Sequence, residues 1–472
     1  MEQVPRDQVL RRLRSENPWW ETGAIAPELA SLRPRRYLEL FLPLVLEERL
    51  RRAVVLMGPR RVGKTVLQHH AIAKLILSGA APKRIAYISV DHPIYNDLGL
   101  QELLDHVAEA TVGNPEKEPY WIFFDEIQYL RKWEVHLKTL VDSHRLLRAF
   151  ASGSAAAALK LRSDESGAGR FTDFLLPPLT FVEYLDLLGL SGITAPAPPA
   201  KLDIEELNRH FLDYINQGGY PEVLFSAPMQ RDPGRFVKSD IIDKVLLRDL
   251  PSLYGISDIQ ELNYLFTTLA YNTAGEVSLE ELSKNSGVAK PTIKRYIEYL
   301  EAAFLLRVLH RIDRTGKRFQ RARNFKVYLT NPSIRSALFA PVDENDLKIG
   351  ALVETAVVSQ WFHAEVPFYY ANWDRGEVDL VHALPALGVQ AAAEVKWSDR
   401  HFEHPGELKS LLAFCNANQL DRALVTTRTS QGTARIGAVT LLFAPASLFA
   451  FSTGSNILAN RAASLLPAEL GS

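Results

Sequence analysis

Residues 53–65 read AVVLMGPRRVGKT. Four apolar residues, Ala53 to Leu56, predict a buried strand. The next eight, Gly58, Pro59, Arg60, Arg61, Val62, Gly63, Lys64 and Thr65, fit G-x-x-x-x-G-K-[ST] without mismatch. VLQHHAIAKLIL follows, with Val66, Leu67, Ile72, Leu75 and Ile76 at helical spacing. A strand, a glycine-bounded loop and a helix are the context this motif needs to hold a phosphate. The glycines let the backbone curl so that several N–H groups converge on one anion. The helix N-terminus adds its partial positive charge. Gly58 to Val66 are the candidate nucleotide-binding residues, with Lys64 reaching the β- and γ-phosphates and Thr65 holding Mg²⁺.

Strand and helix patterns then alternate, as a parallel α/β sheet requires. RIAYISVD (84–91), YWIFFDEIQYL (120–130) and RAFASGS (148–154) predict strands; LQELLDHVAEA (100–110) and EVHLKTLVDSH (134–144) predict helices. Strand 120–130 carries Asp125 and Glu126 after an apolar run, the Walker B pattern. Asp125 is the candidate Mg²⁺ ligand and Glu126 the candidate general base on the attacking water. Ser152 sits at a strand tip, where either a γ-phosphate sensor or a small-residue turn fits. Arg170 follows a Gly/Ser-rich stretch, from which it could reach a γ-phosphate in cis or from a neighbouring subunit; a plain surface role is the alternative.

The chain has 472 residues, enough for about three domains. Its net charge of −1 makes any nucleic-acid surface a local patch. The single cysteine, Cys415, excludes an intrachain disulfide and a Cys-based zinc site. No apolar run reaches the length of a signal peptide or membrane span, so a cytoplasmic location without membrane association is expected. Residues 1–35 form an arm with Trp19 and Trp20, which touch a partner or pack the arm onto the P-loop core. GLSGITAPAPPAK (189–201) has linker composition. Helices are expected at 206–217, 235–250 and 260–272.

Residues 277–312 predict a helix-turn-helix. VSLEELSKNSG is followed by VAKPTIKRYIEYLEAAFLL, with Lys290, Lys294 and Arg295 at the start of the second helix, where a recognition helix meets DNA. Wing-like strands follow. Arg311, Arg314, Lys317, Arg318, Arg321, Arg323 and Lys326 form a local basic patch; Arg318 and Arg321 join the candidate DNA contacts. Intramolecular packing with a solvated basic hairpin is the alternative.

Beyond residue 326 the pattern is α/β again. LKIGALVETAVVSQWFHA (347–364) predicts a helix bearing Glu354, and GEVDLVHAL (376–384) and GVQAAAEVKW (388–397) predict strands bearing Asp379, Glu394 and Lys396. The form is D-x₁₄-E-x-K, as in the PD-(D/E)xK nucleases, although no proline precedes Asp379. Asp379, Glu394 and Glu354 are candidate Mg²⁺ ligands, and Lys396 would orient or activate the attacking water. Accidental strand-edge charges, or a nuclease-like fold kept for structure, are the alternatives.

Taken together, the chain resembles a prokaryotic family of P-loop ATPases with an N-terminal AAA-type domain, a central winged helix and a C-terminal domain resembling restriction endonucleases. The resemblance rests on GPRRVGKT (58–65), WIFFDEIQYL (121–130) with Trp133, SGS (152–154), GRFTDFLLPPLTFVEYL (169–185), GGYPEV (218–223), GALVETAVV (350–358), EVDLV (377–381) and AEVKW (393–397). It implies ATP as the nucleotide and a functional role for Arg170. The expected organisation is an arm (1–35), a P-loop domain (36–190), a linker and helical region (191–272), a winged helix (273–325) and a nuclease-like domain (326–472). The expected function is ATP hydrolysis with Mg²⁺, acting on or with DNA, with a homo-oligomer possible. A nucleotide-controlled DNA-binding or scaffolding switch with an inactive C-terminal domain is the alternative.

Overall fold

A computed structural model describes residues 5–47, 51–153, 169–190, 203–317, 324–364 and 366–459. The chain divides into two compact units, Met1–Leu176 and Pro177–Ser472.

The first unit is built on five strands: β1 (Ala53–Met57), β2 (Ile85–Ser89), β3 (Tyr120–Asp125), β4 (Leu147–Gly153) and β5 (Phe171–Leu175). Their order is β2-β3-β4-β1-β5, and all neighbours are parallel. Every residue of β1 and β3 is buried. Such unbroken apolar runs mark a parallel sheet covered on both faces. β3 ends at Asp125 rather than continuing to 130. Glu126 takes a left-handed backbone (φ 55°), which breaks strand pairing, and a short 3₁₀ turn occupies Ile127–Tyr129.

The arm packs onto the exposed edge of this sheet. Asn17 straddles β2, donating from Nδ2 to the Tyr87 carbonyl at 2.9 Å and accepting from the Tyr87 N–H at 2.6 Å. Trp19 and Trp20 both donate their indole N–H to the Ile85 carbonyl, at 2.9 and 2.7 Å. Side chains thus satisfy the backbone groups that an edge strand leaves open. Both tryptophans are buried, so packing rather than partner contact explains them.

The second unit contains β6 (Glu276–Ser278), β7 (Leu306–Ile312), β8 (Asn324–Leu329), β9 (Phe368–Trp373), β10 (Gly376–Leu384), β11 (Gly388–Glu394), β12 (Arg422–Thr427), β13 (Gly432–Ile436) and β14 (Val439–Pro445). They form one sheet in the order β13-β14-β12-β11-β10-β9-β7-β8-β6. Alternate residues serve opposite faces. Leu380, Ala391, Ala393 and Leu424 join the core under the helices Ile349–Ser359 and Ala446–Leu458, whereas Val381, Ala392, Ala423 and Val425 pack against Leu411, Phe414 and Cys415 of the helix Lys409–Ala417.

The region 259–329 runs helix (Ile259–Tyr271), β6, helix (Leu279–Ser286), helix (Lys290–Ala302), β7, β8. β7 pairs antiparallel with β8 and parallel with β9, so this region shares its sheet with the C-terminal strands. The boundary expected at 325/326 falls inside β8. The helix expected over 235–250 contains π-helical turns at Val237–Ile242 and Val245–Asp249. Residues 191–200, Ser154, Arg318, Arg321 and Arg323 lie outside the described residues. Among the described residues no helix is long and apolar enough to cross a membrane.

Candidate functional site

The phosphate loop leaves the C-terminal end of β1, between β4 and β5. Gly58 must be glycine: a Cβ there would lie 2.2 Å from the Leu176 carbonyl oxygen. Gly63, at φ 92°, turns the chain into the helix Lys64–Leu77. The Lys64 ammonium is buried in the loop, donating to the carbonyls of Gly58 (3.0 Å) and Pro59 (2.8 Å). Arg35 of the arm donates to the Val62 carbonyl at 2.9 Å and braces the loop from outside.

Asp125 meets this loop from the tip of β3. Its Oδ2 accepts from Thr65 Oγ1 at 2.7 Å and from the Tyr87 hydroxyl at 2.6 Å. Its Oδ1 accepts from Ser152 Oγ and from the Glu126 N–H. A hydroxyl and a carboxylate so close, beside a phosphate-binding loop, are the oxygen donor set that Mg²⁺ takes with few protein ligands. Ser152 is fully buried against Asp125, so its hydroxyl orients the carboxylate here. Glu126 accepts from the Gln128 amide. Tyr87 lay outside the sequence reading; nothing in IAYIS sets it apart. Burial, and then the Asp125 carboxylate, push its hydroxyl pKa far up, so it stays a proton donor. Behind it, the His69 ring lies 4.5 Å from the Tyr87 ring, and burial lowers the His69 pKa.

The reach of Arg170 to a γ-phosphate in cis is not met in the structure. Arg170 precedes β5, and its carbonyl accepts from the N–H of Ala53, the first residue of β1. The phosphate loop starts at the other end of β1, roughly 16 Å of strand away. Arg170 is half-exposed and paired with Asp142 at 2.6 Å. It cannot reach its own chain's phosphate site.

A family model described as an AAA domain matches residues 50–185, and one described as a domain of unknown function (DUF8612) matches residues 208–346. The first unit carries a P-loop ATPase domain. An uncharacterized protein of Methanocaldococcus jannaschii is 25% identical over 335 residues, which is 64% of this chain and 66% of that one. A second uncharacterized protein of the same organism is 24% identical over 261 residues, 54% and 56% of the two chains. The chain therefore spans less than two thirds of the length of these relatives. The Walker-type ATPase PABY2304 of Pyrococcus abyssi superposes with a TM-score of 0.39 at 16% identity, covering 66% of this chain and 99% of that one.

A second cluster lies in the C-terminal unit. Glu354, Asp379, Glu394 and Lys396 line one open cleft of ≈ 450 Å³, together with Lys326, Glu377 and His401. The Lys396 ammonium lies 3.0 Å from Asp379 Oδ2 and 2.7 Å from Glu394 Oε2. Although β11 ends at Glu394, the Lys396 backbone is held beside β12 by Thr426 Oγ1, which accepts from its N–H at 2.7 Å and donates to its carbonyl at 2.8 Å. Burial works against the ionised Asp379, but Lys396 and Lys326 overcome it and hold this carboxyl well below the usual range. Burial, then repulsion from Asp379, pushes the Glu394 carboxyl pKa up. Two neighbouring carboxyls whose pKa values are pushed apart form an oxygen donor pair of the kind a divalent cation takes.

The cluster departs from the sequence reading at two points. Lys326, counted in the basic patch, is buried within the acids, 2.7 Å from Glu377, 3.3 Å from Glu354 and 3.4 Å from Asp379. Glu354 is engaged by Lys326 and by the Tyr328 hydroxyl at 2.5 Å, and burial followed by the Asp379 charge raises its pKa to about 7. Among the described residues no three acidic, His or Cys side chains assemble as a metal group. Of the three expected acids, Glu354 faces Lys326, Glu394 faces Lys396, and Asp379 faces both. A lysine interrupting the apolar run FKVYL was the available signal, the same one that marked Asp379.

The candidate DNA contacts Lys290, Lys294 and Arg295 are exposed on the helix Lys290–Ala302. Lys290 lies 3.8 Å from Glu280, and Lys294 lies 3.9 Å from Glu298. Arg311 donates to the Asn372 carbonyl at 3.0 Å on β9; Arg314 and Lys317 are exposed. Among the described residues Arg311 and Arg314 line one cleft with Arg375.

Proposed function

We propose that the chain binds and hydrolyses ATP with Mg²⁺ and acts with DNA. The observation that carries the hydrolysis reading is the 2.7 Å contact between Thr65 and Asp125, which brings the two motif halves to one point. In this reading Lys64 leaves the loop carbonyls for the β- and γ-phosphates, while Thr65 and Asp125 hold Mg²⁺, which supplies charge neutralisation of the phosphates. Glu126 orients and polarises the attacking water. Ser152 and Tyr87 fix the carboxylate of Asp125. Steady-state hydrolysis of ATP and GTP by the full chain, beside Lys64→Ala and Glu126→Gln, tests this. Lys64→Ala should lose binding and turnover, and Glu126→Gln should bind ATP but not turn it over. Equal turnover in all three would refute it.

The order helix, strand, helix, helix, two strands over 259–329 supports a winged-helix reading of that region, with Lys290, Lys294 and Arg295 toward the phosphate backbone. The C-terminal cleft is then a metal-dependent nuclease site: Asp379 and Glu394 hold a divalent cation, which supplies Lewis-acid stabilisation of the phosphodiester, and Lys396 positions the water. The burial of Lys326 among the acids favours a second reading, a nucleotide-controlled switch whose cleft cuts nothing. Incubating plasmid and single-stranded DNA with Mg²⁺ or Mn²⁺, with and without ATP, separates the two. Cleavage lost in Lys396→Ala supports the nuclease; ATP turnover without cleavage supports the switch.

A further inference from the structure

Lys326 lies within β8, between the buried residues Phe325 and Val327. Its side chain is 4% exposed, against 32% for Lys396. Burying an ammonium is costly unless it is paired and hydrogen-bonded. Here three carboxylates meet it: Glu377 and Asp379 from β10, and Glu354 from the helix Ile349–Ser359. The ring of Tyr370 lies 5.6 Å from the ammonium on β9. Four elements thus converge on one fixed positive charge. Lys396 differs: its side chain is partly exposed at the cleft mouth, where it pairs with Asp379 and Glu394.

The charge balance separates two cation positions. The described lining of the cleft carries five carboxyl groups (Glu354, Glu377, Asp379, Glu394, Glu407) and three ammonium groups (Lys326, Lys396, Lys409). Counted as formal charges these groups leave two negative charges, and a divalent cation between Asp379 and Glu394 needs only those two carboxyls ionised. Asp379 belongs to both positions, one oxygen toward Lys326 and the other toward Lys396. In two-metal phosphodiester sites, a shared carboxylate between cations about 4 Å apart plays this bridging role.

We infer that the cleft takes one divalent cation, between Asp379 and Glu394, and that the Lys326 ammonium permanently fills the place of a second, bounded by Glu354, Glu377 and Asp379. The inference rests on the metal reading of Asp379 and Glu394 above. Glu354 and Glu377 are then partners of Lys326 rather than of the metal. A fixed ammonium adds positive charge beside the bound phosphodiester without an exchange step, so occupancy follows a single non-cooperative binding curve.

Counting Mn²⁺ on the nucleotide-free full chain by equilibrium dialysis, with free Mn²⁺ read by electron paramagnetic resonance, tests this. Asp379→Asn gives the background from the phosphate-loop region. Wild type should bind one ion more than Asp379→Asn, Lys326→Met two more, and Lys326→Arg one more. Glu377→Gln, a change at a half-exposed side chain, should leave the count as in wild type and weaken affinity only through the lost charge. Lys326→Met should also melt lower than wild type in chelator and regain stability with Mn²⁺ more than wild type does. Two ions on wild type, no extra ion on a folded Lys326→Met, or a changed ion count in Glu377→Gln would each overturn the inference. Equal counts for wild type and Asp379→Asn would overturn the metal reading itself and the inference with it.

Discussion

The Tyr87 hydroxyl donates to the same Asp125 oxygen, Oδ2, that accepts from Thr65, at 2.6 and 2.7 Å. One residue of β2, outside both nucleotide motifs, therefore orients the carboxylate that closes the phosphate site.

Tyr87→Phe removes that donor and keeps the ring against His69. A hydrogen bond to a charged group is worth about 1.5–3 kcal/mol, and Ser152 and Thr65 remain as partners. Turnover should fall about tenfold with a raised Mg²⁺ requirement, while Mg²⁺-free nucleotide affinity stays unchanged. Steady-state kinetics against Mg²⁺ concentration reads both; an unshifted Mg²⁺ dependence would count against the positioning role.

Asn17→Ala strips the edge of β2. It leaves the buried N–H and carbonyl of Tyr87 without their side-chain partner. Each orphaned group costs about 1–3 kcal/mol, so a loss of about 2–6 kcal/mol is expected by urea denaturation. Asn17→Asp keeps the acceptor but sets a buried carboxylate oxygen against the Leu13 and Tyr87 carbonyls, and should lose at least as much.

Glu301 sets a pH dependence. Burial raises its pKa to about 7, despite the Val308 N–H donating to it at 2.7 Å. A folded pKa above the unfolded value gives stability that is complete at low pH and lost as pH rises from about 4.5 to 7. The full shift corresponds to about 3 kcal/mol. Glu354, shifted in the same direction to about 7, adds to the same slope. Denaturation midpoints from pH 4 to 8 should fall with pH, and Glu301→Gln should flatten part of that fall.

Arg170→Ala should leave nucleotide affinity unchanged, because Arg170 flanks Ala53 at the far end of β1 from Gly58. A fluorescent-nucleotide titration reads it. Loss of affinity in dilute protein would contradict the placement.

The sequence by itself determined the phosphate loop and its strand and helix. A glycine-bounded turn between an apolar run and an amphipathic helix is local physics, and the order of alternating segments fixes a parallel sheet. It also marked Asp379, Glu394 and Lys396, because charges in apolar strands stand out at period two. What only the tertiary structure decided depends on which strand ends lie side by side. Tyr87 reaches Asp125 because β2 and β3 are parallel neighbours. Arg170 is excluded in cis because β5 pairs with β1 from its first residue. Lys326 moved from a basic patch into an acidic cleft because its side chain turns inward on β8, under the helix that carries Glu354. Charge seen along a chain says nothing of which charges meet; desolvation and pairing across the sheet decide that.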